Sequence, residues 1–155
     1  MPSIYIPPAP PDPRRLGFNP RRNTGAVNAR RRNINLKVMQ GLAAASTPAA
    51  ATAFPFLCGP FYLTDVDLFH IFLTATAAVS GSPAGVQIVV QQSDASGNMT
   101  PIAGSPFNLT LLGTTTGILA VPLLVQNFGD LVAIGLQAAT PWAGGTLAVI
   151  VKAKG

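Results

Sequence analysis

From Phe54 onward the chain runs in short apolar and β-branched stretches, each cut off by a cluster of Gly, Pro, Ser, Asn or Asp. This punctuation limits the fold more than any other feature. Turn clusters fall at 80–85 (SGSPAG), 93–98 (SDASGN), 113–116 (GTTT), 127–130 (NFGD) and 140–145 (TPWAGG). Between them lie candidate strands at 61–79, broken or bent within, 86–92, 107–112, 117–125, 131–138 and 146–152. Alternation is clearest at Val66 and Leu68, at Ile71 and Leu73, and along Leu147, Val149 and Val151, the period of a strand with one buried face. No helix of ten residues fits between the strands, which argues against a parallel α/β fold. Six or seven short strands predict an all-β fold: an antiparallel β-sandwich or jelly-roll-like body over 55–155.

The first forty residues obey different rules. Seven of the first twenty are proline, so 2–13 (PSIYIPPAPPDP) can form neither a helix nor a central strand and reads as an extended strap. Arginines follow in three clusters: Arg14 and Arg15, Arg21 and Arg22, and Arg30, Arg31 and Arg32. No helical period links them, and the apolar surface between them is too small to offset the entropy of ordering. The segment is expected to order only on a partner. Ile4, Tyr5, Ile6, Leu16 and Phe18 are the apolar anchors available for that step. Residues 34–47 (INLKVMQGLAAAST) are read as a short helix ended by Pro48, and the Ala/Thr/Pro stretch that follows as a linker. The predicted organisation is an arm over 1–40, a linker over 41–54 and the β body over 55–155.

Charge is divided along the same boundary. Residues 1–40 carry +7 and residues 41–155 carry −2, within a net charge of +5, and the chain has no Glu. Only 10% of residues are charged, against about 25% in an ordinary soluble domain. The strand faces of the body must therefore be covered with Thr, Ser, Gln, Ala and Gly, and several aromatic residues are left near the surface. Faces of that kind mark permanent interfaces and predict a homo-oligomer, such as a trimer, or a place in a lattice. No run of eighteen apolar residues exists, so no membrane partner is expected. The N-terminus does not read as a secretory signal.

Catalytic material is scarce: one His, one Cys and five Asp. His70, in VDLFHIFL, reads as a histidine buried in the core or lying at a pairing edge, with no nucleophile nominated beside it. Asp65 and Asp67 share a strand face but are explained as well by a solvated edge as by metal ligation. Cys58 reads as an apolar core thiol, and SDASGN as a hairpin loop lacking the acidic count of a calcium site. No enzyme activity, cofactor or metal is expected. The arm is different. Arginine without lysine over 14–32 favours bidentate contacts with carboxylates or phosphates, so its partner is an acidic protein surface or nucleic acid. Interleaved proline and aliphatic residues favour the protein surface.

A basic arm on a small Gly/Thr/Ala-rich β body resembles two groups of virion proteins. One is the capsid decoration, or cement, proteins of tailed bacteriophages. The other is the small jelly-roll coat proteins of simple viruses. The first resemblance implies that 4–18 and the arginine clusters contact the major capsid protein and strap neighbouring subunits. The second implies that Arg14 to Arg32 lie inside a shell on packaged nucleic acid. Either implies a location in the virion after synthesis in the host cytoplasm. Six or seven strands are too few for a shell-building jelly roll, which needs eight, so decoration is the leading expectation. A third possibility is a receptor- or carbohydrate-binding module of a virion fibre, with Trp142 and Tyr62 as its stacking platform.

Overall fold

The structure, a computed structural model, describes residues 33–49, 58–63 and 66–154. Ten strands form two antiparallel sheets: β1 (Asn33–Ala43), β2 (Cys58–Tyr62), β3 (Leu68–Ser80), β4 (Ala84–Ser93), β5 (Met99–Pro101), β6 (Phe107–Asn108), β7 (Gly117–Ile118), β8 (Leu123–Gln126), β9 (Leu131–Thr140) and β10 (Gly144–Lys154). One sheet runs β1-β10-β3-β7, with β8 also paired to β3. The other runs β2-β9-β4-β5, with β6 also paired to β4.

The strand order identifies the architecture. β5 and β6 share one flank of β4, and β7 and β8 share one flank of β3, so each pair fills one position. Ten strands thus occupy eight positions, ordered 1-8-3-6 in one sheet and 2-7-4-5 in the other. Each in-sheet pair 1·8, 2·7, 3·6 and 4·5 is what a single long antiparallel hairpin would contain, and rolling that hairpin up gives this sandwich. That is a jelly roll. The expected β-sandwich is borne out, and the expected count of six or seven strands is corrected. With the run 61–79 counted as the two strands β2 and β3, the position that no candidate strand covered is that of β1.

β1 also corrects the helix read over 34–47. The segment is a strand, registered on β10 from Asn33↔Lys154 to Ala43↔Thr146, and only Ala44–Ser46 forms a single 3-10 turn. The sheet therefore takes in 33–43, which the sequence assigned to arm and linker. The stretch 61–79, read as one broken run, is in fact split between the two sheets, β2 pairing with β9 and β3 with β10.

The core lies between the sheets. Phe69, Ile71 and Leu73 of β3 and, beside them in the same sheet, Leu147, Val149 and Val151 of β10 face Ile88 and Val90 of β4 and Val132, Ile134 and Leu136 of β9, all buried. Removing such side chains from water stabilises each by about 1.5–3 kcal/mol. Where β3 meets β10 the register shifts at Gly145, whose backbone has φ +106 and whose Cα lies so close to Val79 that a Cβ would fall 2.6 Å from the Val79 Cα. Only glycine fits there. On the outer face of the second sheet, Gln137 donates to Gln87 (2.6 Å) and Gln87 to Asn108 (2.8 Å), an amide ladder across β9, β4 and β6. With two amides satisfying each other on that face, few charges are needed there.

Candidate interaction surface

Antiparallel order gathers distant parts of the sequence at two ends. At one end lie the loop 63–67, the hairpin 94–98, the loop 127–130, the start of β1 and the finish of β10. At the other lie the 3-10 turn and the loops 81–83, 113–116 and 141–143. Asp67, Asp94 and Asp130 are all at the first end and all exposed, while the loops of the second end contain no acid.

The loops of the first end are held by a dense set of hydrogen bonds. Gln92 is 3% exposed and spans the sandwich: its Nε2 donates to the Gln126 carbonyl (2.8 Å), and its Oε1 accepts from the Phe128 N–H (2.6 Å). Asn127 Nδ2 donates to the carbonyls of Leu63 and Val66, both at 2.8 Å, and its N–H donates to the Asp67 carbonyl at 2.8 Å. Its Oδ1 is buried without a partner. The Leu63 N–H donates to the Asp130 carbonyl (2.9 Å) and the Leu131 N–H to Ser93 Oγ (3.1 Å). Gly129 lies flat against β4, where a Cβ would fall 2.3 Å from the Ser93 carbonyl oxygen. Asp94 organises its own hairpin by accepting from the N–H groups of Ser96 (2.8 Å) and Asn98 (2.9 Å). Those bonds, led by Asn98, hold its carboxyl below the usual carboxylate range.

This frame displays two aromatic rings. Phe128 is 75% exposed and Tyr62 74%, more than any other large apolar side chain described. Both stand on pinned backbone. An exposed ring that needs no ordering is a ready contact point, because binding costs it little entropy.

The outer face of the β1-β10-β3 sheet is a second exposed apolar area, with Leu68, Leu124 and Ile118 open and Phe72 and Ile150 half-buried. Lys152 Nζ sits 5.1 Å from the centroid of Phe72, and the His70 ring 6.1 Å from it. His70, read as buried or at a pairing edge, is neither: it is exposed on the outer face of β3, pointing away from Phe69 and Ile71, and the strand is paired on both sides there, with Lys152 and with Leu124. Trp142 is only 4% exposed. It packs on the core beside a cavity lined by Val79, Pro83, Leu111, Thr115 and Leu119, of about 130 Å³, which leaves almost none of its ring for a sugar to stack on. Cys58 is half-buried, its Sγ donating to the Ile134 carbonyl (2.9 Å), and burial pushes its pKa up to about 11. Among the described residues no three His, Cys, Asp or Glu side chains converge as a metal site requires.

The seven arm arginines and the anchors Ile4, Tyr5, Ile6, Leu16 and Phe18 lie outside the described residues, as does Asp65. The sequence named the aromatic and acidic residues of the loop end singly. Their meeting there is a product of strand order, which no local pattern carries. No family model, no curated protein and no solved structure matches the chain.

Proposed function

We propose that this chain is a structural virion protein whose jelly-roll body packs against copies of itself in an icosahedral shell, with the arginine-rich arm binding packaged nucleic acid. The single observation that carries this reading is the strand order, 1-8-3-6 over 2-7-4-5. The jelly roll is an architecture of viral capsid domains, and the eight positions meet the strand count that six or seven strands fell short of. An arm of +6 over residues 1–32 joined to the first strand, on a body of −1, separates the charge in a way that suits a shell protein: phosphate neutralisation on the arm, packing on the body. Phosphate binding by the arm predicts that the logarithm of affinity falls linearly with the logarithm of salt. The slope is about −0.7 to −0.9 per phosphate neutralised, and it is lost when the seven arginines become glutamine. A flat salt response removes the nucleic-acid role.

Decoration of a preformed capsid is the second reading, supported by the proline and aliphatic residues interleaved with the arginines. It predicts binding to preformed shells with no shell formation by the protein alone.

A further inference from the structure

We infer that the loop end bearing Phe128 and Tyr62 is the socket for the arginine-rich arm of a second copy of this chain. The inference rests on the assembly reading above and names one of its contacts. Three observations carry it.

The first is the platform. Phe128 and Tyr62 are the two most exposed large apolar side chains described, and Gln92, Asn127 and Gly129 pin the loop that presents Phe128. The second is chemical fit. Asp67 and Asp130 are exposed on the same end, the Asp67 carbonyl accepting from the N–H of Asn127, next to Phe128, and the Asp130 carbonyl from the N–H of Leu63, next to Tyr62; guanidinium is the side-chain group that both stacks on an aromatic face and pairs with a carboxylate. The chain's own 14–32 segment offers arginine and no lysine.

The third is reach. Asn33 pairs with Lys154, so the arm leaves its own body at the socket end, on the edge strand. The 32 residues before Asn33 can span up to about 105 Å when extended, whereas four strands at about 4.8 Å spacing make an end only about 20 Å wide. Six to eight residues separate one arginine cluster from the next, a step of about 20 to 28 Å when extended. One body's end therefore accommodates one cluster, and the rest of the arm must lie elsewhere. Copies arranged with their socket ends towards a common axis place each arm root beside a neighbour's Phe128.

The test uses three full-length variants, each freed of nucleic acid by nuclease and high salt, and each checked for folding by circular dichroism. One replaces the seven arm arginines by glutamine. The second carries Asp67→Arg and Asp130→Arg, and the third, a milder socket variant, carries Phe128→Ala. Sedimentation at low salt should show the native chain self-associating and each variant weakened at least tenfold. Mixing the arginine-free variant with the charge-reversed one should restore a hetero-complex, since one supplies the socket and the other the arm. A native chain that stays monomeric, an association indifferent to the socket changes, or a mixture that forms no hetero-complex overturns the inference. Nucleic-acid affinity of the socket variants is measured alongside. If it keeps its salt slope while association is indifferent to the socket, the socket fails and the shell-protein reading stands.

Discussion

At the scale of single residues, a few buried polar groups at one end of the sandwich do most to set the candidate surface. The Gln92 side chain satisfies one group of β8 and one of the loop that follows it. Gln92→Ala leaves the Phe128 N–H and the Gln126 carbonyl without these partners, and about 2–3 kcal/mol of stability should be lost in urea unfolding. Gly129→Ala forces a methyl into the Ser93 carbonyl. A loss of about 1–3 kcal/mol is expected, with Phe128 displaced and its fluorescence or ring chemical shifts altered. Cys58 gives a pH signature. Burial pushes its thiol up to about 11, above the ordinary thiol range, so the folded state holds its proton more tightly than the unfolded chain. The resulting stability is fully present below pH 9 and is lost as pH rises towards 11. Alkylation of the native protein at pH 8 should be much slower than that of the denatured chain; equal rates would contradict the burial.

Elements differ in how much of them the sequence reveals. β3 and β10 were legible because Ile71 and Leu73 and Leu147, Val149 and Val151 keep a two-residue period against one core, although Val66 and Leu68, read as part of the same alternation, do not share a buried face: Val66 is buried and Leu68 is 45% exposed. β1 was not. Its ladder shifts register between Lys37 and Met39 and again between Gln40 and Leu42, so its apolar residues lose alternation, and Leu, Met, Gln and Ala then read as helix formers. Its partner β10 lies more than a hundred residues away, and that non-local pairing overrides local preference. β5 is three residues long, shorter than any periodicity, and the run read at 117–125 holds two short strands, β7 and β8, so the strand count came out low. The arm boundary follows from β1. Truncation to Asn33 should change the thermal midpoint far less than truncation to Ala44. The longer deletion strips β10 of a neighbour and uncovers the core beside Met39, which is 7% exposed, and is expected to unfold the body at 37 °C.

For the whole molecule, the division between a charged arm and a nearly uncharged body was plain in the sequence, whereas what the body presents was not. The acids at 67, 94 and 130 are scattered through three turns, and only rolling up the chain brings them to the end from which the arm departs. The same rolling puts Trp142 inside, although its turn looked like an exposed recognition loop. A sandwich with apolar residues on one outer face, an amide ladder on the other and a rigid aromatic end has several sides suited to packing with copies of itself. The proposal that this jelly roll builds a shell is tested most directly by electron microscopy of the purified full-length protein mixed with single-stranded nucleic acid at low salt. Closed particles of uniform diameter containing the chain in multiple copies are predicted; discrete monomers or small oligomers at every protein and nucleic-acid concentration would contradict it.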